Sequence, residues 1–261
     1  MTKIIAISNQ KGGVGKTTTA VKLAASLAFE KKKVLLIDFD PQGSASMACG
    51  VDKNEINYSS CDLLLNDTPI SKIIITNEEL GFSVIAGNAD LTDAEVELMN
   101  VKNKEHRLAD ALLPIKNKYD YILIDCPPSL NRLTLNAMVA AKSVLIPMQC
   151  EYYALEGLTA LISTIRTIKE TINPKLHLEG VLRTMFDNHS HLTQNVSAQL
   201  IEYFADKVFT TTIPRNICLV QAPSHGLPAL TYDKSSQVTS AYLELAVELI
   251  KKENNVGKLY N

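Results

Sequence analysis

The chain has 261 residues, a formal net charge of −2 at pH 7 and an isoelectric point near 6.2, which excludes a uniformly basic nucleic-acid binder but permits a local basic patch. Apolar residues make up 46% of the chain, enough for a large core, yet no apolar run approaches the roughly 20 residues of a membrane-spanning helix. Its 5 cysteines are scattered and form no Cys-x-x-Cys pair, so we expect reduced thiols in a cytoplasmic protein.

Short apolar runs recur along the chain and predict buried strands. In chain order they are KIIAIS, KVLLIDF, GFSVIAG, YDYILIDC, KSVLIPM and LEGVLRTMF. Most of them are apolar at consecutive positions, which is typical of parallel strands that are buried on both faces. Because the first run begins at Lys3, we expect no signal peptide.

Helical patterns lie between these runs. Residues 17–30 are rich in Ala and Leu, and two later segments carry apolar stripes at helical spacing, the second of which we expect to face the core. The alternation predicts an α/β fold with a doubly wound, mostly parallel sheet and helices on both faces. We expect one domain over residues 1–261, with a solvated tail over 251–261. The stripes consist of Leu155, Leu158, Ile162 and Ile165, and of Val238, Ala241, Tyr242, Leu245 and Leu249.

A glycine-rich loop follows the first predicted strand and precedes the first predicted helix. Its sequence is NQKGGVGKTT, beginning at Asn9. Backbone N–H groups along such a loop can surround an anion at the start of a helix. Lys16 is expected to reach the β- and γ-phosphates of a nucleotide, and the Thr17 hydroxyl to bind Mg²⁺. The residues predicted to bind the nucleotide here are Gly12, Gly13, Val14, Gly15, Lys16, Thr17 and Thr18.

Three carboxylates follow the ends of two predicted strands. Asp38 and Asp40 lie in VLLIDFDPQG, and Asp125 follows the apolar residues of YILID. In open parallel sheets ligands bind at the carboxyl ends of the strands, which places these acids at the same edge as the loop. The pattern around Asp125 matches a Walker B strand, whose acid holds Mg²⁺. The alternative interpretation is that Asp38 and Asp40 only cap the following helix.

Five segments together resemble the ParA/MinD family of P-loop ATPases with a deviant Walker A motif. They are the loop KGGVGKTT, DFDPQG at 38–43, DYILIDCPPSL at 120–130, QCEYYALEG at 149–157 and IPRN…APSHG at 213–226. The resemblance covers nearly the whole chain and is strongest to the chromosomal, Soj-type partition ATPases. It implies the P-loop NTPase fold, with ATP and Mg²⁺ as cofactors.

The resemblance also assigns roles to individual residues. It implies that Lys11 reaches across a dimer interface to the phosphates bound by the other subunit, while Lys16 serves its own subunit. It implies that Asp40 positions the attacking water and that Asp38 lies close to the metal ion. It further places Pro214 and Asn216 near the adenine base.

The function that this resemblance implies is an ATP-dependent switch for chromosome or plasmid partition. ATP would close a homodimer, the dimer would bind DNA without sequence preference, and a ParB-type activator would stimulate hydrolysis. The alternatives are a ParA-like ATPase that positions a protein cargo and a MinD-like switch that cycles on a membrane. An electron-transfer ATPase like the nitrogenase iron protein is a further alternative, but the expected cluster-binding cysteines are not found at matching positions.

The predicted DNA-facing segments depart from the family pattern. Relatives of this type carry arginines in three C-terminal segments, where this chain has His189, Cys218, and Ser236 or Gln237. The basic residues that remain are Arg183, Lys207, Arg215, Lys234 and the tail lysines Lys251, Lys252 and Lys258. Among them Arg183, Lys207 and Lys234 are the candidate DNA contacts. Because each lost phosphate contact removes part of the affinity, we expect weak DNA binding and association with the nucleoid only if that binding is retained.

Overall fold

In the part of the chain that the structure describes, the strands form one sheet of eight strands. The computed structural model describes residues 2–66, 68–215 and 236–258, and side chains as far as residue 253. All pairs are parallel except the short edge pair β3–β4. The strands are β1 Lys3–Ile7, β2 Val34–Asp38, β3 Ile75–Asn77, β4 Phe82–Ile85, β5 Tyr121–Asp125, β6 Ser143–Gln149, β7 His177–Phe186 and β8 Val208–Pro214. Their order across the sheet is β3-β4-β2-β5-β1-β6-β7-β8.

Helices occupy the connections between the strands. The α-helices are α1 Lys16–Phe29, α2 Ser44–Ala48, α3 Asp62–Leu65, α4 Ile70–Ile73, α5 Asp90–Glu97, α6 Arg107–Leu112, α7 Arg132–Ala140, α8 Ala154–Thr171, α9 His191–Phe204 and α10 Gln237–Lys258. Single 3₁₀ turns follow α5, α6 and α9. The prediction of a doubly wound, mostly parallel α/β sheet is therefore confirmed.

The sheet separates two apolar layers, because successive side chains on a strand point to opposite faces. Along β1, Ile5 and Ile7 pack with α1 and α10, whereas Ala6 belongs to the opposite layer, which contains α3 to α9. The neighbouring strands β2 and β5 alternate in the same way. Consecutive apolar residues are required on these strands, since both faces are covered.

The central strands bring their carboxyl ends together at one edge of the sheet. β5 lies between β1 and β2, with Asp125 in register with both Ile7 and Asp38. The glycine-rich loop leaves β1 at this same edge. The order of the strands therefore gathers the loop and the acids, which are far apart in the sequence.

Helix α10 begins where the second apolar stripe was predicted, and all five stripe residues are buried against the sheet and α1. Residues 251–258, which the sequence predicts to belong to a solvated tail, continue α10 as far as Lys258. The Lys252 ammonium lies 4.3 Å from the centre of the Phe209 ring, and the Tyr121 hydroxyl donates to Glu253 over 2.6 Å. These contacts tie the start of the predicted tail to β8 and β5.

Strands β3 and β8 were not among the predicted strands, for different reasons. β3 is only 3 residues long and half exposed, so it lacks the apolar run that marks a buried strand. β8 contains a run of threonines, and it borders the sheet on one side within the described residues. An edge strand is paired on one side only and is more exposed to solvent. Its composition can therefore be less apolar than that of the central strands.

We predict that Leu245→Ala in α10 lowers the free energy of unfolding by about 2–5 kcal/mol, because it empties a fully buried site between α10 and the sheet. Urea unfolding followed by circular dichroism would measure the change. Leu243→Ala on the same helix is the matched control, since Leu243 is half-buried and its truncation should cost clearly less. Equal losses for the two variants would contradict the packing of α10.

Candidate functional site

The glycine-rich loop between β1 and α1 forms a cradle that opens to solvent. Gly13 and Gly15 have φ angles of 72° and 84°, in the left-handed region that favours glycine. A Cβ atom added to Gly12 or Gly13 would meet no heavy atom within 4 Å, so the loop borders open space. No side chain caps the N-terminus of α1, which leaves its first N–H groups directed into that space. This geometry suits a bound phosphate.

Lys16 is buried at the start of α1, and its ammonium donates a hydrogen bond to the carbonyl oxygen of Lys11 over 3.0 Å. Its side chain therefore folds back over the loop. Burial lowers the pKa of Lys16, whereas the carboxylates of Asp125 and Asp40 oppose this shift. A cation held among acids and next to the open cradle is placed to contact a bound anion.

Lys11 differs from Lys16 because its side chain is half exposed. Its ammonium forms an ion pair with Glu151, which follows β6 and is also half exposed. The backbone beneath it is fixed, since Asn9 accepts from the Lys11 N–H over 3.0 Å and donates to the Pro147 carbonyl over 2.7 Å. Exposed ion pairs contribute only about 0–1 kcal/mol, so Lys11 can exchange Glu151 for another anion at little cost.

Asp125 is fully buried at the end of β5 and is suited to a metal ion. Neither of its carboxylate oxygens has a hydrogen bond of normal geometry among the described residues. Burial and the nearby Asp38 carboxylate raise the pKa of Asp125, whereas the Thr17 hydroxyl and the Lys16 ammonium lower it. A divalent cation beside Thr17 would satisfy this buried charge.

The described residues contain no group of three or more His, Cys, Asp and Glu side chains that could enclose a metal ion. Mg²⁺ is usually held by one or two protein ligands together with substrate phosphates and water, so it does not need such a group.

Asp38 is also fully buried, but its oxygens are already engaged. The hydroxyl and the backbone N–H of Ser46 donate to it over 2.6 and 2.7 Å, and burial raises its pKa. These contacts make Asp38 an anchor for α2, so the structure gives no support to a direct contact with the metal. Asp40 lies two residues later, is half-buried and accepts from the Gln42 N–H over 2.9 Å.

The structure tests the predicted DNA contacts unevenly. Arg183 is 7% exposed, and its guanidinium donates to the Ser197 hydroxyl and to the Phe209 and Thr210 carbonyls. These hydrogen bonds tie β7 to α9 and β8 and leave the Arg183 side chain little exposed surface for DNA. Lys207 is exposed, with its ammonium 3.7 Å from Asp206. Lys234 lies outside the described residues.

Of the two predicted adenine contacts, only Pro214 lies in the part of the chain that the structure describes. Pro214 ends β8 and is paired in register with Phe186 of β7. Asn216 lies outside the described residues.

Two aromatic side chains near the cradle were not predicted from the sequence. Tyr152 and Tyr153 are 75% and 74% exposed, and their rings pack edge to face with centres 5.0 Å apart. They follow Glu151, the ion-pair partner of Lys11, so they lie on the same side of the molecule as the loop. Their adjacency in the sequence after a buried strand was the available signal, but the sequence did not show that both remain exposed.

Comparison with known proteins identifies the family. Residues 2–178 match a family described as an AAA domain. The chain is 50% identical to the chromosome partitioning protein ParA of Myxococcus xanthus, over 96% of this chain and 89% of that protein. It is 49% identical to the sporulation initiation inhibitor protein Soj of Bacillus subtilis, over 95% and 98% of the two chains. The chain belongs to the ParA/Soj family of chromosome-partitioning ATPases.

The fold of this ParA-family chain is also similar to a solved enzyme structure. It superimposes on cobyrinic acid a,c-diamide synthase of Mycobacterium smegmatis, which has a bound ATP analogue and magnesium, with a TM-score of 0.86. The two are 32% identical over 97% of this chain and 96% of that chain. Because one fold can serve different chemistries, the higher identity to ParA and Soj carries more weight for function than this likeness.

The described helices of the ParA-family chain include none that is long and apolar enough to cross a membrane.

We predict that Asp125→Asn stabilises the nucleotide-free protein at neutral pH. Because the folded-state pKa of Asp125 lies above its unfolded value, its contribution to stability is full below the unfolded pKa and is lost as the pH rises through the folded pKa. The variant should melt about 2–4 °C higher at pH 8, corresponding to about 1 kcal/mol, with a smaller gain at pH 5.

Calorimetry across this pH range would measure the effect of Asp125→Asn. Asp93→Asn on the exposed face of α5 is the control and should change the melting temperature little. A lower melting temperature for Asp125→Asn at pH 8 would contradict the interpretation that Asp125 is an uncompensated buried charge.

Proposed function

We propose that this ParA-family chain is an Mg²⁺-dependent ATPase that dimerises when it binds ATP and acts in DNA partition. The observation that carries the proposal is that one buried lysine, one exposed lysine and one buried acid lie at the same edge of the sheet. Lys16 is enclosed beside the cradle, Asp125 is buried without a normal hydrogen-bond partner, and Lys11 is exposed on the same side. One lysine serves the phosphates within the subunit, and the other is available to a neighbour.

The residues at the cradle divide the work of holding the nucleotide. The N–H groups of the loop and the ammonium of Lys16 bind the phosphate oxygens, and the Thr17 hydroxyl and Asp125 hold Mg²⁺. When bound, the metal ion neutralises charge that develops on the phosphates during transfer. Asp38 acts one step away, because it anchors Ser46 and with it the segment that carries Asp40.

Asp40 is the group that positions the attacking water. Its carboxylate lies after the end of β2, half exposed and held in a turn by the Gln42 N–H. It therefore borders the cradle while remaining accessible to solvent. Phosphoryl transfer to water depends mainly on positioning and charge neutralisation, so a single oriented carboxylate is a sufficient contribution from this segment.

Dimerisation follows from the exposed groups beside the loop. Lys11 leaves Glu151 and pairs with the phosphates of a nucleotide in the partner subunit, where its charge is better compensated. The adjacent Tyr152 and Tyr153 supply apolar area of the kind that is enriched at protein interfaces. ATP favours the dimer because it binds the closed state more tightly than the open state.

The dimer binds DNA without sequence preference, and a ParB-type partner stimulates hydrolysis. Support for both steps comes from the identity to ParA and Soj. Arg183 contributes to the fold rather than to DNA, so the candidate contacts are reduced to Lys207 and to Lys234. This reduction agrees with the expectation of weak binding that the sequence raised.

We predict that Lys11→Ala remains a monomer with ATP and Mg²⁺, whereas the unaltered protein reaches twice its mass of 28.7 kDa. The substitution removes the cation that would be donated across the interface and leaves Lys16 in place, so ADP binding by the monomer should persist. Light scattering with no nucleotide, with ADP, and with ATP and Mg²⁺ would measure the masses.

Lys169→Ala is the control for this experiment, because Lys169 is an exposed lysine on α8. It should dimerise like the unaltered protein. A full ATP-dependent dimer of Lys11→Ala would show that Lys11 does not act between subunits, and a monomer of the unaltered protein under all conditions would overturn the switch itself.

We predict ATP-dependent binding to random duplex DNA that is measurable at low salt and weak at physiological salt. In filter binding across a salt series, Lys207→Ala should lower the slope of log affinity against log salt by about 0.9, the value for one phosphate contact. Lys169→Ala should leave the slope unchanged. An unchanged slope for Lys207→Ala would remove Lys207 from the DNA contacts, and no ATP-dependent binding even at low salt would favour a cargo other than DNA.

A further inference from the structure

A residue outside the glycine-rich loop forms a buried hydrogen bond to the backbone of that loop. Thr184 lies near the carboxyl end of β7, 170 positions away from the loop residue that it contacts. Its hydroxyl donates to the carbonyl oxygen of Val14 over 2.8 Å. Both residues are buried, with 2% and 1% exposure, so no water replaces this hydrogen bond readily.

The geometry of the peptide unit makes this contact relevant to the bound anion. In a trans peptide the C=O of one residue and the N–H of the next point in opposite directions. The Thr184 hydroxyl draws the Val14 carbonyl towards β7, and the Gly15 N–H must then point away from β7. We propose that Thr184 is a positioning residue for nucleotide binding, which fixes the Gly15 N–H towards the phosphate through the Val14–Gly15 peptide.

Packing supports the same role. A Cβ atom added to Gly15 would lie 3.9 Å from Cγ2 and 4.0 Å from Cβ of Thr184, so the methyl group of Thr184 lies directly beside the loop. The hydroxyl sets the direction of the peptide, and the methyl group limits its sideways movement. Gly15 is the last loop residue before Lys16, so a rotation of this peptide would also displace the lysine.

The strand that carries Thr184 is itself rigidly held. The preceding residue, Arg183, donates to Ser197 of α9 and to the carbonyls of Phe209 and Thr210 in β8. The following residue, Met185, has a φ angle of 48°, where the regular pairing with β8 is interrupted. Thr184 itself pairs in register with Gln149 of β6, and a group on a strand orients its partner more precisely than one on a loop.

The inference rests on the proposed nucleotide site and is tested by removing only the hydroxyl. Thr184→Val keeps the shape of the side chain but leaves the buried Val14 carbonyl without its donor. We expect the affinity for a fluorescent ADP analogue with Mg²⁺ to fall about tenfold, because an unpaired buried carbonyl frees the peptide to rotate. Thr184→Ser keeps the hydroxyl and should bind within about twofold of the unaltered protein.

A matched control separates positioning from general destabilisation. Ser143→Ala also removes one buried hydroxyl, which donates to Glu179 over 2.6 Å at the start of β6, the opposite edge of the sheet. It should lower the melting temperature but bind the analogue normally. If Thr184→Val fails to fold, Thr184→Ala in comparison with Thr184→Ser provides the same contrast.

The kinetic readout distinguishes binding from chemistry. The loop contacts the phosphates in both ground state and transition state, so Thr184→Val should raise KM for ATP by about the same factor while kcat changes less. Binding of the analogue by Thr184→Val within twofold of the unaltered protein would overturn the role. Equal weakening by Ser143→Ala would do the same, and failure of the unaltered protein to bind the analogue would overturn the nucleotide site itself.

Discussion

The concentration of buried charge at the carboxyl ends of β1, β2 and β5 constrains the rest of the structure. Asp38 and Asp125 end adjacent strands in register, and both are fully buried. Burial raises the pKa of both carboxyl groups, and the neighbouring Asp38 carboxylate raises the pKa of Asp125 further. The fold tolerates this because Ser46 compensates Asp38, while the charge of Asp125 remains for a cation. A metal-bound nucleotide would compensate the buried Asp125 carboxylate.

The two lysines of the loop occupy opposite environments that match their different tasks. Lys16 is enclosed, and its neighbours are the acids and the loop backbone. Lys11 is half exposed and is held by one surface carboxylate, which it can leave at a cost of no more than about 1 kcal/mol. A buried lysine maintains a site permanently, whereas an exposed lysine with a replaceable partner can serve as the mobile part of a switch. Burial rather than residue type distinguishes the two.

The loop is also supported by parts of the chain that lie beyond the first half of the sequence. Thr184 contacts it from β7, and the Tyr242 hydroxyl of α10 lies 3.1 Å from the hydroxyl of Thr19 in α1. α10 in turn holds β8, because Glu248 accepts from the backbone N–H groups of Thr210 and Thr211. The nucleotide site and the C-terminal half of the sheet thus share buried hydrogen bonds, which provide a physical path for one to influence the other.

The sequence by itself determined the central strands, the first helix, the stripe of α10 and the phosphate loop, because these depend on local patterns. Apolar runs and the spacing of glycines and lysines follow from the needs of a strand buried on both faces and of a backbone that surrounds an anion. The edge strands β3 and β8 were not predicted, because a strand that is paired on one side only and partly exposed needs no continuous apolar run. The sequence did not predict that α10 continues past residue 250, because its polar residues there contact Phe209 and Tyr121, which are distant in the sequence.

Only the tertiary structure decided which charged groups are available. The sequence offers Arg183 as a basic residue near a predicted DNA face, yet three carbonyl and hydroxyl acceptors from α9 and β8 surround its guanidinium. It offers Asp38 and Asp125 as strand-end acids near the metal ion, yet only Asp38 accepts hydrogen bonds from Ser46. Thr184 carries no motif at all, and its role arises because the order of the strands brings β7 beneath the loop. Long-range hydrogen bonds create these differences, and they are set by topology rather than by the spacing of residues along the chain.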